Sequence, residues 1–341
     1  MNWKAKPLGS CIEVFDSCRR PVTKKDRVLG PYPYYGASGI VDYVDSYIFE
    51  GLHVLVAEDG ENLRSRKLPI AYLADGRFWV NNHAHVLRAN DENDTRFLSY
   101  MIESLDLSGF ITGSTQPKLS QAALLSIPLR LPKLAEQRRI AELLGTLDNK
   151  IESNQNLAEV IPSLIDAKIH HALSDGSGDS IPVSKLAKFV NGGAYTKEAS
   201  GTGRMVIRIA DLNTGPGAST IYNDIDVPGD RLAHFGDLLM SWSGSLGVYV
   251  WVREEAIVNQ HIFKVILTDF PAWLVHNRLN VALHGFRAIA ADKATTMGHI
   301  QRKHLDETFV EVPIAKLEQL NHLCVPLWNR FISAQLESMR L

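Results

Sequence analysis

Residues 114–132 read STQPKLSQAALLSIPLRLP, and residues 295–313 read TTMGHIQRKHLDETFVEVP. At an offset of 181, Thr115 meets Thr296, Leu119 meets Ile300, Leu124 meets Leu305 and Pro132 meets Pro313. Three further matches lie upstream in the same order. Val80-Asn81-Asn82-His83 aligns with Val258-Asn259-Gln260-His261, and Val54-Leu55-Val56 ending at Gly60 aligns with Leu238-Leu239-Met240 ending at Gly244. Pro7-Leu8 aligns with Pro182-Val183. Ordered matches whose offsets drift by only a few residues indicate an internal duplication, and a repeat decides the fold before any single element does.

Each copy has two parts. The first is rich in short apolar or β-branched runs, such as His53 to Ala57, Phe78-Trp79-Val80 and Val248 to Val252, separated by Gly, Asn and Asp. That punctuation predicts a strand-rich α+β domain. The second part is helical. From Leu134 to Leu173 apolar residues recur at three- and four-residue steps, with Ile140, Leu147, Asn154 and Ile161 at heptad position a and Leu144, Ile151 and Ile165 at d. Pro162 predicts a kink or break. A second helical pattern follows Pro313 through Leu317, Leu320, Trp328, Ile332 and Leu336. The expected organisation is therefore domain 1 over 1–132, a helical spacer over 133–173, domain 2 over 174–312 with a linker at 174–182, and a C-terminal helical spacer over 313–341. The fold class is α+β, with two tandem strand-rich domains separated by two long helices paired antiparallel in a pseudo-twofold repeat. Ordinary packing of each helix on its own domain is the alternative. The second helix ends just before the position equivalent to Pro162, as expected of a last unit with nothing to connect to.

Composition narrows the class. With 341 residues, two or three domains are expected. A charged fraction of 22% beside 45% hydrophobic residues belongs to a globular chain, and no apolar run reaches the ~18 residues of a membrane span. Three cysteines without a CxxC pair and a start lacking an apolar leader point to the cytoplasm. The net charge of −2 announces no global basic field.

Several enzyme signatures are missing from the sequence: no GxxxxGK[ST] loop, no GxSxG elbow, no glycine-rich dinucleotide turn and no Asn/Asp-Pro-Pro-Tyr/Phe tetrapeptide. His83-Ala-His85 offers two imidazoles for a metal, but its counterpart is His261-Ile-Phe263, so structural histidines are the expectation. Glu58-Asp59 near Arg64 and Lys67 resembles a nuclease cluster, yet the counterpart Trp242-Ser243 has no carboxylate. An enzyme is not expected, and neither catalytic residues nor a metal are assigned.

What remains is recognition. Basic and polar residues gather at Arg19, Arg20, Lys24 and Lys25; at Arg64, Arg66 and Lys67; at Arg204; and at His299, Gln301, Arg302 and Lys303. Such patches track phosphates even when net charge is near zero. Ser114, Thr115, Gln116 and Lys118 face Thr295, Thr296, His299, Gln301 and Arg302 across the repeat. Arginine and lysine suit guanine, glutamine suits adenine, and hydroxyls serve either. Tyr34, Trp242 and Ser243 are further candidates for sugar or base contact.

Pro128 to Ile140, reading PLRLPKLAEQRRI, resembles the proline, Glu-Gln and long-helix boundary of type I restriction–modification specificity subunits. Gly113-Ser114-Thr115-Gln116 and Asn259-Gln260-His261 resemble further segments of that family, and a weaker boundary recurs at Val312 to Leu320. The resemblance covers essentially the whole chain, with type IIB systems as a related possibility. It implies a non-catalytic subunit whose domains each read half of a bipartite, asymmetric duplex DNA target. The helices then set the half-site spacing and dock modification (methyltransferase) subunits, two being implied, through Glu136, Gln137, Ile140, Leu144, Leu147, Ile151, Asn154, Glu318, Gln319, Trp328, Ile332 and Gln335. A restriction subunit, or a nuclease fused to the methyltransferase, supplies cleavage. S-adenosylmethionine and magnesium belong to those partners, and no cofactor is expected on this chain. The competing reading is a helical scaffold that bridges proteins without reading DNA.

Overall fold

The computed structural model describes residues 5–292 and 298–341, which divide into two units, 1–148 and 149–341. The first contains β1 (Ala5–Pro7), β2 (Ile12–Val14), β3 (Tyr32–Gly36), β4 (Gly39–Val44), β5 (Phe49–Glu50), β6 (His53–Ala57), β7 (Ala71–Ala74), β8 (Arg77–Val80), β9 (Ala84–Ala89) and β10 (Pro128–Arg130). Its helices are α1 (Asn62–Ser65), α2 (Thr95–Glu103), α3 (Gln121–Ser126) and the start of α4 (Leu134–Leu173). Two four-stranded sheets, ordered β2-β9-β6-β7 and β4-β3-β8-β5, accompany a two-stranded ribbon of β1 and β10.

The second unit contains β11 (Asp179–Pro182), β12 (Ala187–Asn191), β13 (Arg204–Ile207), β14 (Ile221–Asn223), β15 (Leu232–Ala233), β16 (Leu238–Ser241), β17 (Gly247–Val250), β18 (Ala256–Val258), β19 (Ile262–Leu267) and β20 (Phe309–Val312). Its helices, after the rest of α4, are α5 (Ile209–Thr214), α6 (Ala272–Asp292), α7 (Arg302–Glu307) and α8 (Leu317–Arg340). The sheets run β12-β19-β16-β17 and β14-β13-β18-β15, with a ribbon of β11 and β20. Strand for strand this is the topology of the first unit. It includes the parallel pair in the second sheet, Tyr34 opposite Trp79 in one unit and Val206 opposite Ile257 in the other. The ribbons close each unit at matching positions, Pro7 opposite Pro128 and Pro182 opposite Phe309. The duplication read from the sequence is thus a duplication of topology.

The strands follow from their side chains. Every residue of β6 is buried, so a central strand reads as a continuous apolar run without the alternation of a half-exposed one. The short helices start where side chains cap them. Asp94 accepts the N–H of Phe97 at 2.9 Å ahead of α2, and Ser120 accepts that of Ala123 at 3.2 Å ahead of α3.

Helix α4 runs unbroken for 40 residues through Pro162, so the break that the proline allowed does not occur. Proline removes one N–H but its φ suits a helix, and Ile161 and Ile165, both buried in the second unit's core, hold the chain on that path. Within this unit α4 and α8 pair antiparallel. Lys150 reaches Glu337 at 2.7 Å, Arg330 reaches Asn154 at 3.3 Å, and Lys316 donates to the Ala172 carbonyl at 2.6 Å. Ile161, Ile165 and Ile169 interlock there with Leu320, Cys324, Trp328 and Phe331. The pairing involves the later half of α4. The earlier half packs on the first unit, where Ala141 and Ile140 join the core. Among the described residues no helix is long and apolar enough to cross a membrane.

Candidate nucleic-acid interface

In both units three backbone hydrogen bonds build one corner. In the first, Glu58 N donates to His83 O at 2.9 Å, Leu119 N to Glu58 O at 2.8 Å and Gly60 N to Pro117 O at 3.1 Å. In the second, Trp242 N donates to His261 O at 3.2 Å, Ile300 N to Trp242 O at 3.0 Å and Gly244 N to Gly298 O at 3.0 Å. Bridges Asp59–Lys118 and Ser243–His299 complete the match. The corner binds the end of the central strand, the turn before β9 or β19, and the segment leading into the short helix α3 or α7. Leu119 and Ile300, fully buried, anchor that last segment from below.

The first corner carries the loop 112–118. Thr112 and Lys118 exchange both backbone bonds at 2.8 Å, and Gly113 turns the chain at φ +85°, where a Cβ would meet the Gln116 carbonyl at 2.2 Å. Arg64 on α1 donates to the carbonyls of Gly113 and Ser114. The side chains of Ser114, Thr115 and Gln116 are left exposed.

Beneath this loop lies a network of charges. His85, buried, meets the Asp16 carboxylate at 2.6 Å through Nδ1 and the Leu119 carbonyl at 2.8 Å through Nε2. Arg19 donates to Glu58 at 2.6 Å and to the Ala84 carbonyl at 2.8 Å, and Lys118 approaches Glu58 at 3.2 Å. Burial pushes the Asp16 carboxyl up, but bonds from His85 and Val86 N–H and the charge of Arg19 outweigh it, so it lies below the ordinary range. Glu58 is lowered in the same way: burial opposes, and Arg19, His85 and Lys118 prevail. Asp16, Glu58 and His85 are close enough to hold a metal ion. Two cationic side chains, Arg19 and Lys118, already occupy the carboxylates, so the arrangement is a salt-bridge network.

The second corner is packed with rings and amides instead. Trp242 donates through Nε1 to Asn191 at 2.8 Å and lies 5.2 Å from the His261 ring and 5.9 Å from that of Phe263. Gln301 begins α7, its N–H bonded to His304 Nδ1 at 3.0 Å, and Arg302 donates to the Phe189 carbonyl at 2.9 Å.

The remaining sequence candidates separate into two groups. Arg20, Lys24, Lys25, Lys67, Gln301, Arg302 and Lys303 are exposed, and Ser243 is half-buried in its bridge. Others are engaged in holding the fold. Arg66 donates to the Leu105 carbonyl at 2.6 Å and to that of Glu103, capping the end of α2. Arg204 joins Glu255 at 3.1 Å and the Ile225 carbonyl at 3.0 Å. Arg19 is consumed by the network. Tyr34 is 1% exposed, with Arg27 stacked 4.3 Å over its ring, so it offers no surface to DNA. Thr295 and Thr296 lie outside the described residues.

On the helices, Gln137 and Trp328 are buried and hold structure, the first against domain 1 and the second between α4, α6 and α8. Asn154 is buried at its predicted a position, and its Nδ2 has no hydrogen-bond partner. Glu318 and Gln319 are exposed, while Glu136, Leu144, Leu147, Ile151, Ile332 and Gln335 are half-buried. Sequence reasoning missed Asp16 altogether and saw Glu58 and His85 only as fragments of a nuclease or metal site. The signal was present in the repeat: Glu58, His85 and Lys118 on one side face Trp242, Phe263 and His299 on the other, so the acid and the lysine have no counterparts.

Two α+β units of the same strand topology, each joined to a long helix and each built around the same backbone corner, define a duplicated fold. A crystal structure of a type I restriction–modification S subunit from M. genitalium shares the fold, with a TM-score of 0.63 at 14% identity over 99% of this chain and 96% of that one. Residues 1–163 match the family model of the type I restriction modification DNA specificity domain. Over its first 163 residues the chain is thus similar to type I specificity subunits, and its fold is that of a solved S subunit. It is 38% identical over 148 residues to a putative type I restriction enzyme specificity subunit of Haemophilus influenzae, covering 43% of this chain and 37% of that protein. It is 26% identical over 132 residues to the EcoprrI specificity subunit of Escherichia coli, covering 38% and 31%. These matches span about a third of the length of the curated relatives.

Proposed function

We propose that this chain is the sequence-reading, non-catalytic subunit of a cytoplasmic restriction–modification complex, and that each unit reads one half of a bipartite, asymmetric duplex DNA target. The observation that carries this reading is the corner repeated in both units, one backbone frame lined by different side chains in each. Two frames with different contents suit two different half-sites. In the first unit Ser114, Thr115 and Gln116 read base edges and Lys118 meets a phosphate, while Arg20, Lys24, Lys25 and Lys67 add charge. In the second, Gln301, Arg302 and Lys303 take those roles, with Trp242, Ser243 and His299 beside them.

The paired helices space the half-sites and dock two methyltransferase subunits, whose S-adenosylmethionine supplies the methyl group. A restriction subunit or fused nuclease, with magnesium, cuts. Docking falls to residues the fold leaves outside, such as Val160 and Leu164 on α4, which are 60% and 39% exposed. Selection from a random duplex library by the chain assembled with its methyltransferase tests the reading. Enrichment of a two-part motif with a fixed gap is the expected result. An assembled complex that enriches nothing contradicts it and favours the scaffold.

A further inference from the structure

Lys118 stands at the rim of the network and differs from its other members. Its side chain is 54% exposed, whereas those of Glu58 and Arg19 are 14% and that of His85 1%. The Glu58 oxygen facing Lys118 at 3.2 Å is not the one that takes Arg19 at 2.6 Å. Behind Arg19 stands Asp16 at 3.4 Å, itself bonded to His85, which lies 3.8 Å from Glu58. The carboxylate of Glu58 therefore keeps its Arg19 partner on the interior side when Lys118 leaves. Lys118 is held by one half-exposed ion pair, a weak interaction in water. In the second unit the two positions are Trp242 and His299, so this exchange belongs to the first unit.

Resting on the DNA reading above, we propose that Glu58 is a positioning residue that parks the Lys118 ammonium at the foot of the 112–118 loop and yields it to a backbone phosphate when duplex DNA arrives. Glu58 and the phosphate compete for one cation. Removing the Glu58 charge then tightens binding, and does so through Lys118 alone. A carboxylate that merely repels DNA would act whether or not the lysine is present.

The test measures binding of the full chain to a mixed-sequence duplex of about 30 base pairs across about 50–200 mM salt. Lys118→Ala is expected to lower the slope of log K against log salt by about 0.9, one phosphate contact, and Lys118→Arg to restore it. Glu58→Gln is expected to tighten binding roughly two- to fivefold, the range of a half-exposed ion pair. In the Lys118→Ala background the same change is expected to do nothing. An equal gain in both backgrounds, or an unchanged slope for Lys118→Ala, overturns the proposal. If a thermal melt shows that Glu58→Gln misfolds, the slope of the exposed Lys118→Ala variant decides alone. A wild-type chain that binds no duplex at the lowest salt overturns the DNA reading and this proposal together.

Discussion

The side-chain oxygen of Gln137 accepts the backbone N–H of Asp94 at 2.9 Å, joining the start of α4 to the capping residue of α2. The same amide donates to the Pro132 carbonyl at 2.9 Å and to Asn93 Oδ1 at 3.0 Å, and the residue is 1% exposed. The glutamine of the boundary motif is therefore a clasp that fixes the angle at which the long helix leaves its domain. Gln137→Ala strands one buried and two partly buried polar groups and is expected to cost about 2–4 kcal/mol, read as a lower denaturant midpoint. Glu136→Ala, on a half-buried neighbour, should change it little.

Asn154 tests the opposite case. Its Nδ2 is buried without a partner where α4 meets α8. Replacement by leucine removes that unmet buried amide nitrogen, so Asn154→Leu is expected to raise the stability of the second unit by about 1 kcal/mol. A lower thermal midpoint would show that the contact with Arg330, 3.3 Å away, is worth more than the orphaned amide costs.

His276 on α6 lies 5.1 Å from the Trp328 ring and 6.0 Å from that of Phe331, beside a cavity of about 330 Å³. Burial pushes its pKa down to about 4. An unfolded histidine titrates near ~6.5. Above that value both states are neutral; between ~6.5 and about 4 the unfolded state takes up a proton that the folded state refuses. The second unit should therefore lose stability as pH falls through this window. Urea midpoints from neutral pH downward are expected to decline more steeply for the wild type than for His276→Gln.

Gly113 separates loop geometry from global stability. At φ +85°, with the Gln116 carbonyl 2.2 Å from where a Cβ would sit, Gly113→Ala must distort the exposed loop that Arg64 ties down. The melting temperature is expected to move only slightly, because the core under Leu119 is untouched. DNA affinity should fall at least about tenfold if the loop makes a bidentate base contact.

The duplication was legible in the sequence because apolar positions under equal constraint stay apolar. Leu119 and Ile300, or Leu124 and Leu305, sit buried at matching places in the two units. Asn154 was legible too, since a polar residue breaks a heptad visibly. The parallel pairing of β3 with β8 was not, because sheet order depends on contacts far apart in the chain. Nor was the role of Tyr34 or Arg66: an exposed aromatic and a buried one, or a free arginine and a capping one, are spelled alike. The network around Glu58 stayed hidden for a related reason. Asp16, Glu58, His85 and Lys118 are scattered over about a hundred residues, and only the fold brings them within bonding distance.

The measurement that bears most directly on the central claim is a genome-wide map of methylated adenines. Cells carrying this chain with its methyltransferase are compared with cells carrying the methyltransferase alone. The account predicts a split motif, two unlike half-sites at a fixed gap, methylated only when the chain is present. Replacing Ser114, Thr115 and Gln116 together should then alter one half-site and leave the other intact. An active, assembled methyltransferase whose sites are the same with and without the chain would contradict the account.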